Sequence, residues 1–220
     1  MSAKPTFAVV LSGCGVYDGS EIHEAVLTML AIDRQGGTYQ CFAPDIPQRD
    51  VINHLTGRPA AEERNVLAES ARIARGHIRA LATFNPKDFD ALVLPGGFGA
   101  AKNLSSFAGD GPECTVEPTV ERAIKAMSAA GKPVCALCIA PAVLVRVLSG
   151  LEVTIGDDSG TAAALEQMGG HHRNTGHGQV VVDQVRRVVT SPCYMLEATI
   201  SQIADGADAA IAALREMIRP

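Results

Sequence analysis

The stretch that decides the fold is Val134-Cys-Ala-Leu-Cys138-Ile-Ala-Pro141, in which an apolar strand runs directly into a helix. Pro141 suits the first turn of that helix, and Cys138 stands at the junction. A nucleophile on such a tight turn has strained backbone angles and crowded neighbours, so small residues are needed two positions before and after it. Ala136 and Ala140 meet that need.

Alternating strands and helices extend on both sides of this turn. Apolar runs predict strands, and apolar residues at a helical period predict helices. The predicted strands are 7–11, 38–42, 78–82, 91–94, 133–137, 151–155, 180–182 and 187–190. The predicted helices are 20–34 with Ser20 as its cap, 62–75, 118–130, 141–148, 159–168 and a final helix from Pro192, while 99–117 is predicted to be irregular. This alternation predicts an α/β fold with a mostly parallel sheet covered on both faces.

Length and composition predict one domain over residues 1–220. The net charge is −5 and no basic stripe exists, so we expect no nucleic-acid partner. No apolar run is long enough for a membrane span or a signal peptide, so we expect no membrane association and a cytoplasmic location. Six cysteines are too sparse for a disulfide scaffold and are expected to be free thiols.

Cys138 is the candidate nucleophile. A sulfur at the start of a helix faces amide donors and the positive end of the helix dipole, which lower a thiol pKa and favour the thiolate. The alternative is that Cys138 is one more buried cysteine. Cys135 lies within the predicted strand, about 10 Å away for three extended steps, which is too far for a disulfide. We therefore interpret Cys135 as a core residue.

Two further groups are needed for carbon chemistry, an oxyanion site and a proton carrier. The turn after Leu94 contains Gly97, whose amide, with that of Ile139, is a candidate oxyanion site, although Pro-Gly-Gly also suits an ordinary turn. Glu21 and Glu24 are candidate proton carriers, because they share one face at the start of the first helix and burial beside a thiol would keep a carboxyl protonated. Alternatively, both only interact with the helix dipole.

The other candidate motifs are weaker. Gly13-x-Gly15-x-x-x-Gly19 resembles a dinucleotide-binding loop but has one residue too many before the last glycine. His171, His172 and His177 lie close in sequence, but their spacing matches no metal site. We therefore expect neither a cofactor nor a metal.

Four stretches resemble the ElbB family, described as isoprenoid-biosynthesis glyoxalases, within the PfpI and class I glutamine-amidotransferase-like superfamily. The resemblance spans nearly the whole chain. The matching stretches are Leu11-Ser-Gly-Cys-Gly-Val-Tyr-Asp-Gly-Ser-Glu-Ile-His-Glu24, Asp50-Val-Ile-Asn-His-Leu-Thr-Gly57, Pro95-Gly-Gly-Phe-Gly-Ala-Ala-Lys-Asn-Leu104 and Cys138-Ile-Ala-Pro141.

The resemblance implies a flavodoxin-like three-layer α/β/α sandwich, usually dimeric, and a glyoxalase that needs neither glutathione nor metal. Its substrate would be a small dicarbonyl, with glyoxal converted to glycolate and methylglyoxal to lactate. The superfamily's cysteine matches Cys138, its glutamate matches Glu24 with Glu21 as the second choice, and its oxyanion glycine matches Gly97. Ile139 stands where PfpI-type proteins often have histidine, which disfavours a protease.

Two other functions stay open beside the glyoxalase. The flanks of Cys138 are alanines and no His-x-Glu pair occurs, so hydrolysis of glutamine is disfavoured. A protein deglycase is compatible with the same residues. A redox sensor or regulatory protein is also compatible, with Cys138 oxidised to a sulfenic or sulfinic acid instead of turning over substrate.

Overall fold

The structure is a computed structural model that describes residues 4–218, so residues 1–3 and 219–220 of the predicted domain lie outside it. Within the described residues, seven strands form a sheet in the order β10-β11-β7-β6-β1-β2-β5. Neighbouring strands are parallel except for β10, which is antiparallel to β11. Two small pairs, β3-β4 and β8-β9, lie outside this sheet. The strands are β1 Thr6–Val10, β2 Thr38–Ala43, β3 Ile52–Asn53, β4 Arg58–Pro59, β5 Ile78–Ala80, β6 Ala91–Leu94, β7 Val134–Leu137, β8 Glu152–Val153, β9 His171–His172, β10 Val181–Asp183 and β11 Val188–Ser191.

Helices cover both faces of the sheet. Along β1, Ala8 and Val10 belong to one apolar cluster, and Phe7 and Val9 belong to the other, as expected from the two-residue period of a strand. The first cluster includes residues of α5 and α6, and the second includes residues of α1 and α8. The helices are α1 Ile22–Arg34, α2 Val66–Ile73, α3 Phe98–Lys102, α4 Phe107–Asp110, α5 Pro118–Ala129, α6 Pro141–Val147, α7 Ser159–Gln167 and α8 Ile200–Ile218. This arrangement confirms the predicted flavodoxin-like three-layer sandwich.

Two predicted helix starts are wrong because other side chains provide the caps. Ser20 does not cap α1, since its hydroxyl accepts the amide of Ser12 at 2.9 Å. Glu21 caps that helix instead, with its carboxylate accepting the amide of Glu24 at 2.7 Å. The second helix begins after Asn65, whose side chain accepts the amide of Ala68 at 2.9 Å, so it is shorter than the predicted 62–75.

The final helix begins at Ile200 and not near Pro192. A 3-10 turn over Cys193–Met195, with a positive φ of 44° at Cys193, breaks the helical backbone there. Thr199 and Gln202 then form a reciprocal capping pair, in which the Gln202 side chain accepts the Thr199 amide at 2.8 Å and the Thr199 hydroxyl accepts the Gln202 amide at 3.3 Å.

The segment 99–117 is more regular than predicted. It contains most of α3, which begins just before it, together with α4 and a 3-10 turn over Gly111–Glu113. These helical pieces are too short to show an apolar period in the sequence. In the described part of the chain, no helix combines the length and apolar character needed to cross a bilayer.

We predict that Glu117→Ala lowers the free energy of unfolding by about 1 kcal/mol. The Glu117 side chain caps α5 by accepting the amides of Thr119 and Val120, each at 2.9 Å. Urea unfolding measures the change. Glu121→Ala on the same helix is the matched control, since its exposed pair with Lys125 contributes only about 0.3–0.5 kcal/mol. Equal losses in both variants would contradict the capping role.

Candidate functional site

Cys138 occupies the strained turn that the sequence predicts. It follows β7 with a positive φ of 58°, a backbone conformation that residues other than glycine rarely adopt. Its amide donates to the carbonyl of Ser191 at 2.9 Å, which ties the turn to β11. Ala136 and Ala140 are fully buried on either side, so larger side chains would have no space there. The turn therefore presents the sulfur above the carboxyl ends of the central strands.

Three groups lie beside the sulfur of Cys138 and act on its pKa. The amides of Gly97 and Ile139 lower the pKa of the thiol, and the carboxyl of Glu24, which lies next to Sγ at Gly96, raises it. Gly97 has a φ of 99°, and a side chain there would collide with the amide of Glu21 at 2.3 Å. The structure thus brings together all four predicted site residues, with two amides and one acid around a single sulfur.

Glu24 is a buried carboxyl held by three segments of the chain. It lies in the first turn of α1 and is fully buried. Its Oε2 accepts the amide of Gly96 at 3.0 Å, and its Oε1 accepts the amide of Tyr194 at 3.1 Å. Burial raises the pKa of Glu24 to about 8, more than these hydrogen bonds lower it. Glu24 is therefore mostly protonated at neutral pH.

The thiol of Cys138 does not have the lowered pKa that the sequence predicts. Burial and the nearby Glu24 raise its pKa well above the ordinary value, and the amides of Gly97 and Ile139 only partly oppose this shift. The amide donors are visible in the local sequence, whereas the desolvation of a sulfur whose residue is only 7% exposed depends on the whole fold. At neutral pH the site is thus a neutral pair, a thiol beside a carboxylic acid.

Glu21, the second candidate proton carrier, has a different place. It lies close to Glu24 as the cap of α1, and its amide donates to the carbonyl of Gly96 at 2.9 Å. Glu24, by contrast, raises the pKa of the Cys138 thiol, and its Oε2 lies next to the sulfur at Gly96. This proximity favours Glu24 as the proton carrier, which stays a prediction.

A cavity of about 420 Å³ opens over the sulfur. Its wall includes side chains that sequence reasoning missed, because they come from segments far apart in the chain. Asp158 and Thr161 lie at the start of α7, and Tyr194 lies on the turn before α8. The residues lining the cavity are Val16, Glu21, Gly97, Phe98, Cys138, Ile139, Asp158, Thr161, Tyr194 and Met195.

The remaining sequence candidates lie outside this cavity. Cys135 is fully buried in β7, and burial raises the pKa of its thiol to about 12, which agrees with a core residue. Gly19 packs against the backbone of Cys14 with no space for a side chain, in a closed turn before α1. All six cysteines are free. Among residues 4–218 there is no cluster of three or more His, Cys, Asp or Glu side chains suited to a metal ion.

Comparisons with known proteins agree on one family. The model of the DJ-1/PfpI family matches residues 74–197. The human protein named glutamine amidotransferase-like class 1 domain-containing protein 3, mitochondrial, is 47% identical over 220 residues, covering 96% of this chain and 82% of that protein. The ES1 protein, mitochondrial, of Danio rerio is 37% identical over 207 residues, covering 86% of this chain and 77% of that protein.

Two solved structures add to this result. An isoprenoid biosynthesis protein with an amidotransferase-like domain from Ehrlichia chaffeensis superposes with a TM-score of 0.89 at 37% identity, covering 96% of this chain and 99% of that one. Glyoxalase III from Candida albicans has a TM-score of 0.60 at 13% identity, covering 95% of this chain and 97% of that one. The second likeness shows the fold alone.

The predicted cytoplasmic location is wrong, since both of these curated relatives are named mitochondrial proteins. The prediction depended on the lack of a long apolar segment. Such a segment is required for secretion or membrane insertion, whereas mitochondrial targeting segments are amphipathic and rich in arginine and serine. The lack of an apolar run therefore does not distinguish the two locations.

We predict that Glu24 makes the protein less stable as the pH rises. Between its ordinary pKa of 4.5 and its folded pKa of about 8, the folded state holds a proton that the unfolded state has released. The contribution of Glu24 to the free energy of unfolding is therefore complete below the lower value and is lost as the pH rises through the higher one, by at most about 1.4 kcal/mol per pH unit. Urea unfolding between about pH 5 and 8 measures this slope.

Two variants isolate the effect of Glu24. Glu24→Gln cannot titrate, so its curve lacks this decrease whatever its absolute stability. Glu121→Gln removes an exposed carboxyl and should keep the slope of the native protein. Identical slopes for all three proteins would exclude a raised pKa at Glu24.

We predict that Gly96→Ala disrupts the site and lowers stability by about 1–3 kcal/mol. A methyl group at residue 96 would lie 2.3 Å from Cβ of Cys138 and 2.6 Å from Oε2 of Glu24. Urea unfolding and the rate of Cys138 alkylation by iodoacetamide measure the two effects. Gly160→Ala is the control, since a methyl group there meets its nearest atom at 3.7 Å. A Gly96→Ala protein that matches the native one in both measurements would contradict the close packing.

Proposed function

The chain belongs to the DJ-1/PfpI family, and from this membership and the site we propose that it is a cysteine-dependent glyoxalase of the ElbB type. Its reaction would convert glyoxal to glycolate, and methylglyoxal to lactate, without glutathione or metal. The family includes glyoxalase III, and the solved relative at 37% identity is an isoprenoid biosynthesis protein. A link to isoprenoid biosynthesis is part of the proposal on that ground.

One observation carries the proposal. The sulfur of Cys138 meets two amide donors and a carboxyl whose pKa is about 8, at the floor of a cavity. Isomerising a dicarbonyl requires a nucleophile, a group that moves protons near neutral pH, and donors for a developing oxyanion. The three requirements are met by Cys138, Glu24 and the amides of Gly97 and Ile139.

The first step in this proposal is addition of the thiol to an aldehyde carbon. A carbon–sulfur bond forms, the carbonyl π bond breaks, and the oxygen takes up the proton that the thiol loses, giving a hemithioacetal. Glu24 relays that proton, since it lies beside the sulfur and is itself protonated at neutral pH. The neutral pair thus delivers a proton as the bond forms, and a permanent thiolate is not needed.

In the second step, Glu24 gives its proton to the oxygen of the neighbouring carbonyl, and its carboxylate then takes the proton of the hemithioacetal carbon, so that an enediol forms and Glu24 is protonated again. Glu24 next gives this proton to the neighbouring carbon and takes up the hydroxyl proton of the first carbon, which gives a thioester of glycolic acid. Water then cleaves the carbon–sulfur bond, which releases glycolate and regenerates the thiol. One carbon is oxidised and its neighbour is reduced, so the reaction needs no external oxidant or reductant.

The redox-sensor alternative uses the same sulfur. In that case peroxide oxidises Cys138 and the amides of Gly97 and Ile139 hold the new oxygen. The raised pKa of the thiol makes this alternative less favourable, because the thiolate is the form that peroxide oxidises. A deglycase acting on adducts of the same dicarbonyls, and a homodimer, both stay predictions from the family resemblance.

We predict that Cys138→Ala abolishes glycolate formation from glyoxal in the absence of glutathione. Glu24→Gln should lower kcat/KM by about 10² to 10⁴ fold, the usual range for loss of a general acid–base. Glycolate is measured by liquid chromatography with mass spectrometry. Cys14→Ala is the control, since Cys14 is a partly exposed thiol outside the cavity, and this variant should keep full activity.

A Cys138→Ala protein with native activity would exclude the proposed mechanism. A peroxide titration of the native protein separates the two functions. Stoichiometric oxidation of Cys138 together with no measurable turnover of glyoxal or methylglyoxal would support the sensor and exclude the glyoxalase.

A further inference from the structure

The cavity over Cys138 has an uneven charge. Ten described residues line it, and two of them, Glu21 and Asp158, are acidic. None of these lining residues is lysine, arginine or histidine. A cavity with walls of one sign of charge raises the local concentration of ligands of the opposite sign. The steps proposed for Cys138 and Glu24 do not use this negative charge of the cavity wall. The charge therefore bears on which substrate enters.

Both acidic side chains are fixed at the wall by helix caps. Asp158 caps α7, with its Oδ1 accepting the amide of Thr161 at 2.7 Å, and the side chain and amide of Thr161 together lower the pKa of its carboxyl. Asp158 is therefore negatively charged at neutral pH. Glu21 caps α1 and is only 8% exposed, so its carboxylate lies in a fixed position between the helix and the cavity.

Two basic side chains that contact residues of the wall, Lys102 and His23, are engaged elsewhere. Lys102 lies over the ring of Phe98, 5.6 Å from its centre, but its ammonium is paired with Asp50 at 2.9 Å and with the carbonyl of Tyr17 at 3.1 Å. His23 hydrogen-bonds the hydroxyl of Tyr194 at 2.8 Å from outside the lining. Neither basic side chain lines the cavity, so neither neutralises the negative charge of the two acidic side chains there.

The size of the cavity is a second, independent observation. A volume of about 420 Å³ lies in the range of cavities that enclose drug-sized ligands, far more than a two-carbon dialdehyde fills. Apolar side chains of Val16, Phe98, Ile139 and Met195 form much of the rest of the wall. The cavity therefore suits a ligand with an apolar body in addition to its reactive carbonyl group.

We propose that the site prefers carbonyl substrates that carry a positive charge and an apolar body, and that it rejects substrates bearing a carboxylate or a phosphate. The aldehyde carbon would lie at Cys138, the apolar body against Phe98, and an ammonium group beside Glu21 and Asp158. The identity of the reaction rests on the proposed function, whereas the charge preference is a property of the cavity that is measurable without turnover.

The test uses three methanethiosulfonates that differ in charge: trimethylammonioethyl, sulfonatoethyl and methyl. Each reagent forms a disulfide with Cys138, the sulfur–sulfonyl bond breaks, methanesulfinate leaves with the electron pair, and the thiol proton goes to solvent. The rate at Cys138 is followed in its peptide by mass spectrometry, since five other cysteines are present. Dividing each rate by the rate with a small free thiol removes the intrinsic reactivity of the reagent.

We predict that the cationic reagent modifies Cys138 at least about tenfold faster than the anionic one at low salt, with the neutral reagent between them. This ratio should decrease as the salt concentration rises, because salt screens the exposed carboxylate. Glu21→Gln and Asp158→Asn should each lower the ratio severalfold, and both substitutions keep a side chain that can cap its helix.

Asp88→Asn is the matched control. It changes the net charge by the same amount, but Asp88 precedes β6 and lies at the opposite end of the strand from Gly96 and the cavity. It should leave the ratio unchanged. A native ratio near one, a preference for the anionic reagent, or an equal effect of Asp88→Asn and the two cavity variants would overturn the proposal.

Turnover of matched α-oxoaldehydes, one with a trimethylammonium group and one with a carboxylate, completes the test. We expect a higher kcat/KM for the cationic compound. No turnover of any dicarbonyl with the reagent ratio intact would remove the glyoxalase and leave the charge preference supported. Turnover of glyoxal with a reagent ratio near one would support the glyoxalase and exclude the charge preference.

Discussion

The hydrogen-bonded burial of Glu24 beside Cys138 is the interaction on which the rest of the site depends. An ionised carboxylate without water carries a cost of several kcal/mol unless it is paired. Here the group has no cationic partner in its described contacts, and its pKa rises to about 8. Keeping the proton removes most of that cost, and the amides of Gly96 and Tyr194 satisfy the two oxygens. The acid is therefore stable in the fold because it is neutral, and the neutral form is the one that can deliver a proton.

The topology of the sheet explains why these groups meet. In the sheet, β2 lies on one side of β1, and β6 and β7 lie on the other side. The connections that follow β1 and β6 therefore lead in opposite directions, which leaves a crevice between these two strands. Ligand sites in parallel sheets form at such a switch, at the carboxyl ends of the strands. Glu24 follows the β1 loop, Gly96 and Gly97 follow β6, and Cys138 follows β7. The packing leaves so little space that Gly96 cannot carry even a methyl group without meeting both Cys138 and Glu24.

The sequence predicted those parts of the site that depend on local pattern. Ala136 and Ala140 indicated the turn at Cys138, and the strand and helix periods indicated the sandwich. It did not predict the contact of Tyr194 with Glu24, which joins residues 170 positions apart. It also misjudged the thiol of Cys138, because hydrogen-bond donors are visible in a local motif whereas desolvation depends on every segment that covers the sulfur. The start of α8 differs from the prediction for a related reason, since the capping pair Thr199 and Gln202 sets where the helix begins and the apolar period continues before it.

Two carboxyl groups of the site, Glu24 beside the sulfur and Asp158 on the cavity wall, have pKa values shifted in opposite directions by their surroundings. The pKa of Glu24 is raised by complete burial, and the pKa of Asp158 is lowered by the hydrogen bonds of a solvent-exposed helix cap. Environments that separate the pKa values of neighbouring acids assign them different roles, one as a proton donor and one as a fixed charge. At neutral pH, Asp158 is charged while Glu24 holds its proton. A cation attracted to Asp158 therefore does not compete for the proton that the chemistry at Cys138 requires, so recognition of charge and transfer of a proton can proceed in one cavity.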